Sequence, residues 1–243
     1  MHFILVTYGF NRKKQERWKR FLSHFPASTS SVVENGDFHP HGDVEVIQGS
    51  NVQFEFSGYR EGLHAAHSLP ETTVVVNDTL FSHHWEWGWA KLTQLSQAFP
   101  LGIYGDYRCE PIFWNGKPLQ IFASWYFILR GSHAQSEFLR YLDEVIESFE
   151  VPLQFEGYQE YLAHYLQGNM VHGYTKSQKK PANQSLAMKM KCIHAEHRLG
   201  RLLDASGWVV PFPHWTYRWL HWVDRFLSFR TRTFNVLGLV RTP

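Results

Sequence analysis

Thr72-Thr73-Val74-Val75-Val76-Asn77-Asp78-Thr79 is the stretch on which the reading of this chain turns. Its unbroken β-branched run suits a strand buried on both faces, as the central strands of α/β sheets are. The run then stops abruptly in an amide, a carboxylate and a hydroxyl. In open α/β sheets ligands lie beyond the carboxyl ends of the strands, so Asn77-Asp78-Thr79 is predicted at the edge that binds. The same residues also suit a helix cap or an Asx turn.

Working back towards the N-terminus, residues 2–8 (HFILVTY) form another β-rich apolar run, stopped by Gly9. Trp18, Phe21, Leu22 and Phe25 then recur at helical spacing among Arg12, Lys13, Lys14, Arg17, Lys19 and Arg20, which predicts a helix from Asn11 to about Phe25. Ser, Thr, Asn, Gly, Pro and His between Pro26 and His41 read as a loop. A short strand is predicted over Val44–Ile47, punctuated by Gly49-Ser50-Asn51 and followed by an amphipathic helix from about Gln53 to His67. Such alternation of strand and helix predicts βαβ units and a largely parallel sheet.

Towards the C-terminus, the pattern predicts a helix over 85–98, a short strand over Leu101–Asp106 and a turn over Pro111–Gln120 centred on Asn115-Gly116. Ile121–Leu129 is the strongest later strand. Helices follow at 136–149, 154–167 and 186–203, with a polar, Lys-rich loop over 168–185. Residues 1–206 are thus expected to form one α/β domain. The remainder, 207–243, is an aromatic and basic helical tail carrying Trp208, Trp215, Trp219, Trp222, Arg218 and Arg225.

With 44% hydrophobic and 19% charged residues in 243, the chain can bury a full core. Lys plus Arg number 24 against 22 acidic residues, a balance that argues against a nucleic-acid binder held by phosphate contacts. The aromatic share of 16% suits sugars, lipid headgroups and bases, because each ring offers a flat apolar face. Cys109 and Cys192 form no CxxC, which fits a reducing cytoplasm. No run approaches the ~20 apolar residues that a membrane span requires, so membrane contact is expected to be peripheral. The 15 histidines include 38–41 (FHPH) and 82–85 (SHHW), but neither has the spacing of a metal site.

Chemically, Asp78 at a strand end can hold a divalent cation or ordered water around a diphosphate. Arg12 and Arg60 are candidate cations for the same anion, and Tyr8 is a candidate wall for a base. Asp106, in Gly105-Asp106-Tyr107-Arg108, is the first candidate general base, with Glu110 second.

Gly49-Ser50-Asn51, then Phe54-Glu55-Phe56-Ser57-Gly58-Tyr59-Arg60-Glu61-Gly62-Leu63, then Val74-Val75-Val76-Asn77-Asp78-Thr79 resembles a group of polysaccharide-synthesis glycosyltransferases that includes rhamnan-synthesis proteins. Gly105-Asp106-Tyr107-Arg108 and Ala123-Ser124-Trp125-Tyr126-Phe127 look like that group's downstream strands. The resemblance spans roughly residues 3–165 and implies a GT-A-like, Rossmann-like α/β fold. It also implies a nucleotide-sugar donor and a saccharide or lipid-linked acceptor, as in surface polysaccharide synthesis. Donor binding would then involve Tyr8, Arg12, Asn51, Arg60, Asn77, Asp78 and Thr79, with Mn2+ or Mg2+ on Asp78. The chain departs from the Asp-x-Asp that many GT-A relatives carry, and one carboxylate leaves most of a cation's coordination to diphosphate and water. The expected enzyme is cytoplasmic, with its 207–243 tail either packed on the domain or in a dimer contact, or in peripheral contact with anionic membrane at the inner face of the cell membrane. Alternatives are a non-catalytic carbohydrate- or membrane-binding protein on the same fold, and a metal-assisted phosphoester hydrolase using Asp78 and nearby histidines.

Overall fold

The computed structural model describes residues 1–36, 44–66, 69–81, 86–114, 117–154, 157–166 and 183–206; at 87, 107–114, 117–122, 164–166 and 183–189 it describes backbone only. Residues 207–243, His39, His41, His83 and His84 lie outside this set.

Six strands form one mixed sheet: β1 (His2–Thr7), β2 (Thr29–Glu34), β3 (Glu45–Gln48), β4 (Thr72–Asn77), β5 (Gly102–Trp114) and β6 (Lys117–Arg130). Their spatial order is β3-β2-β1-β4-β6-β5. The first four run parallel, and β6 is antiparallel to both β4 and β5. This is a mostly parallel, Rossmann-like α/β sheet flanked by helices, the fold class expected from the strand and helix alternation.

Along β1 the side chains alternate between faces, as the two-residue period of a strand requires. Phe3 and Leu5 pack with Val32, Val74 and Val76 beneath α1 (Arg12–Leu22) and α3 (Glu86–Ser96). Ile4 and Val6 pack with Val33 and Val75 on the opposite face, beneath α2 (Glu55–Ala65), α4 (Ser132–Glu147) and α6 (Asn183–Ser206). With helices on both faces, every residue of β1 and β4 is buried, which is why their centres, Phe3–Val6 and Val74–Val76, read as unbroken apolar runs. The short helix α5 (Tyr158–Leu166) lies against α6, where the Tyr158 hydroxyl shares a 2.8 Å hydrogen bond with His197 Nδ1.

Glycine sets the spacing between α2 and the sheet. A Cβ on Gly58 would stand 2.6 Å from Val6 Cγ1, and one on Gly62 2.4 Å from Ile4 Cγ2. With hydrogen at both positions the helix backbone lies directly on β1.

Two elements differ from the sequence expectation. Residues Thr29–Glu34 form the strand β2 inside the segment that reads as a loop, pairing with β1 from His2↔Thr29 to Thr7↔Glu34. The expected short strand and long turn after Leu101 are instead a hairpin of 13 and 14 residues, whose strands end at Trp114 and resume at Lys117. Val76 of β4 pairs with Tyr126, so β6 before that residue, and the part of β5 beside it, run past the end of β4. No helix among the described residues is long and apolar enough to cross a membrane.

Candidate functional site

The chain leaves β1 for β2 on one side and returns with β4 on the other, which makes the carboxyl ends of β1 and β4 the point where strand order reverses. Ligand crevices of open α/β sheets form at such points. Val6 pairs with Asn77 there, so Thr7-Tyr8 and Asp78 emerge side by side.

Asp78 opens a 3-10 turn over Asp78–Phe81, and Asn77 Oδ1 accepts from Thr79 N at 2.9 Å, an Asx turn at the strand end. Asp78 Oδ2 accepts from Thr7 Oγ1 at 3.2 Å, from Tyr8 N at 3.3 Å and from Lys14 Nζ at 2.6 Å. The Lys14 ammonium also donates to Thr7 Oγ1 at 3.1 Å and to Tyr8 O at 2.5 Å. Both charged side chains keep about a quarter of their surface in solvent, 22% for Lys14 and 24% for Asp78. Lys14 reaches this place because Asn11 caps α1, accepting from Lys14 N at 3.1 Å, and thereby turns the first helical turn towards the strand ends.

From behind, Arg17 holds the 3-10 turn through Phe81 O and ion-pairs with Glu86 of α3. On the other side of β1, Glu34 ends β2 and is almost wholly buried, at 1% exposure. Its carboxylate accepts from Gly9 N and Gly36 N, each at 2.7 Å, and from Phe10 N. Successive backbone N–H groups at a turn make an anion-binding concavity, and here the protein's own carboxylate fills it. Gly9 supplies the turn's positive φ of 72°.

The approach to α2 is strained. Phe54 has φ 55° and ψ −133°, and Asn51 has φ 53°, both rare for residues with a side chain. Asn35 Nδ2 donates to Phe54 O at 2.9 Å and Ser57 Oγ donates to the same oxygen at 3.0 Å, which holds the backbone there. The Phe54 ring stands 6.4 Å from that of Tyr8. Burial raises the Tyr8 phenol well above its ordinary value; Asn35 opposes the shift, whereas the nearby Glu55 and Asp78 charges add to it. Tyr8 is therefore neutral at physiological pH, and its hydroxyl accepts from Asn35 Nδ2.

Beyond β4, Ser124 of β6 joins several elements. Its Oγ donates to Glu55 at 3.1 Å, its N–H donates to Glu196 of α6 at 2.8 Å, and its carbonyl accepts from Tyr59. Asp106 is 1% exposed, accepts from Trp125 Nε1 at 3.1 Å, and sits at a register shift within β5.

The structure thus brings Tyr8, Asn77, Asp78 and Thr79 together. Arg12 instead pairs with Glu16 on the exposed side of α1, at 3.1 Å, and Arg60 bonds Asp143 of α4 at 2.6 Å. Asn51 is exposed in the loop before α2. The side chain of Glu110 lies outside the described residues. Lys14, Glu34, Asn35, Glu55 and Glu196 belong to the site without having been singled out in the sequence. Lys14 carried a signal: it lies four residues before Trp18 and seven before Phe21, on the face of α1 that meets the sheet.

No family model matches the chain, and no curated protein matches it. Among solved structures it is similar to 2-C-methyl-D-erythritol 4-phosphate cytidylyltransferase from Thermus thermophilus, at 10% identity and a TM-score of 0.40, over 80% of this chain and 99% of that one. A likeness so distant bears on neither activity nor substrate.

Proposed function

We propose that the chain is a glycosyltransferase that takes a sugar from a nucleoside diphosphate donor to a saccharide or lipid-linked acceptor in surface polysaccharide synthesis. The observation that carries this reading is the meeting of Asp78, Lys14 and Tyr8 at the point where strand order reverses. The motif resemblance that includes Asn77-Asp78-Thr79 supports the same reaction class.

Breaking a sugar–phosphate bond puts negative charge on the leaving diphosphate, so the donor's phosphates must meet fixed positive charge or N–H dipoles. In this reading Lys14 supplies the charge by exchanging one of its three oxygen partners for a phosphate oxygen, and Asp78 holds the ammonium at the strand ends. The turn amides of Gly9 and Phe10 are already committed to Glu34 and contribute no phosphate contact. Any divalent cation arrives with the diphosphate, since Asp78 offers one carboxylate and its Oδ2 already accepts from Lys14. Asp106 serves as acceptor base only once its buried carboxylate is uncovered; Glu110 is the second choice. The 207–243 tail would bring the site to an anionic membrane surface.

Isothermal titration of the full chain with uridine, guanosine, cytidine and thymidine diphosphates, each with and without manganese, tests the reading. Binding of at least one of them, weakened in Asp78→Ala, is expected. Absence of binding by every diphosphate under both conditions would overturn it.

A further inference from the structure

Oxygens of three kinds surround the Lys14 ammonium: a carboxylate from Asp78, a hydroxyl from Thr7 and a main-chain carbonyl from Tyr8. Hard oxygen sets of this composition are what Mg2+ and Ca2+ take from proteins. We infer that these oxygens form a cation site whose resident is the chain's own ammonium, and that removing the Lys14 amine turns it into a site for a divalent metal ion.

Three observations carry the inference. The ammonium has three N–H donors, and the three oxygens account for all of them at 2.6, 3.1 and 2.5 Å. The oxygens are held from outside the cluster, because Glu34 fixes the Gly9-Phe10 turn that follows Tyr8, and pairing of β1 with β4 fixes Thr7 relative to Asp78. Removal of the amine therefore leaves the oxygens in place around a space with net negative charge. Finally, a divalent ion held by the same three oxygens would stand where Nζ does, so at this site ammonium and metal exclude one another. Among the described residues no cluster of three His, Cys, Asp or Glu offers another metal site.

The inference bears on the transferase reading without resting on it. It says that in the chain without nucleotide Asp78 does not select a metal, because its counter-ion is built in.

Manganese alone is the probe, with the unbound ion followed by electron paramagnetic resonance on the full chain. Wild type is expected to show no binding that Asp78→Asn removes. Lys14→Ala should gain a site roughly tenfold or more tighter than any in wild type, because a like charge beside the carboxylate has gone. That gain should vanish in Lys14→Ala/Asp78→Asn. Lys14→Met keeps the aliphatic stem and replaces Lys14→Ala if the shorter side chain fails to fold. Asp78-dependent manganese binding by wild type would overturn the inference, as would a folded Lys14 variant that gains none. These arms use no nucleotide, so a failure of the diphosphate titrations removes the transferase reading and leaves the cation site to be judged by manganese.

Discussion

Two strand ends flank the end of β1, and each carries a carboxylate used in a different way. Glu34, on β2, lies in the interior and is saturated by main-chain N–H groups of Gly9, Phe10 and Gly36. Asp78, just past the end of β4, is a quarter exposed and accepts from an ammonium, a hydroxyl and one N–H. The Glu34 partners belong to the backbone and cannot leave without the turn coming apart. The ammonium on Asp78 sits on a flexible four-carbon stem and can be exchanged. Equal chemistry at neighbouring strand ends has thus become a fastener on one side and a replaceable contact on the other.

The most disruptive way to test that contrast is Glu34→Ala, which strands three main-chain donors and should lower stability by about 3 kcal/mol. For a chain of this size that corresponds to a fall of roughly 6–12 °C in the melting temperature. A variant melting with wild type would show that water replaces the carboxylate and that the turn stands without it.

Acid acts next, through a group remote from both carboxylates. Burial lowers the pKa of His197 from 6.5 to about 3, and His194 is lowered by burial as well. Above pH ~7.5 neither folded nor unfolded chain protonates His197 appreciably. Between that pH and about 3 the unfolded chain takes up a proton that the native state refuses, so stability falls as pH falls. Chemical denaturation should show about 2 kcal/mol lost between about pH 7.5 and about pH 5 from His197 alone. In His197→Asn the slope of stability against pH should shrink by about 0.8 kcal/mol per pH unit on average across that range. An unchanged slope would mean that the imidazole is not the proton acceptor, and comparisons of Glu34 and Asp78 are best made above this window.

Asp78→Asn should cost much less than Glu34→Ala, about 1 kcal/mol, because the amide oxygen can still accept while the charge on Lys14 regains some water. Its effect on nucleoside diphosphate affinity should nevertheless be the larger of the two. A melting loss equal to that of Glu34→Ala would erase the distinction between fastener and replaceable contact. At the lower limit lies Arg12→Ala, whose ion pair with Glu16 is exposed and should change stability by less than about 0.5 kcal/mol.

Much of this architecture is legible in the sequence, and the exceptions have physical causes. Buried β1 and β4 announce themselves because they are apolar on both faces. By contrast, β2 reads TSSVVE: Val32 and Val33 alone are apolar, and Thr29, Ser30 and Ser31 have the composition of a loop. Pairing with β1, a long-range contact, makes it a strand. Pro111 suggests an early end to β5, yet the strand accommodates it between Glu110 and Phe113, where the register shifts, as proline in sheets requires.

At the site, the place of Asp78 could be foreseen from the strand that precedes it. Its partner could not be chosen by charge, because Arg12, Lys13 and Lys14 are all basic; helical phase separates them. Lys14 shares the face of Trp18 and Phe21, whereas Arg12 turns outward to Glu16. Glu34 is hidden for the same reason as β2, since a residue cannot be placed at a strand end before the strand is known. Asp106, expected as the last residue of a short strand, lies inside a longer one because the hairpin continues beyond it.

The hydrogens of Gly58 and Gly62, where other residues carry a side chain, leave α2 no cushion against β1. Sliding or rolling the helix would drive its backbone into Val6 and Ile4, so the two elements move as a single rigid member. Tyr8 at the end of β1 and Glu55 at the start of α2 therefore keep a fixed separation through any excursion.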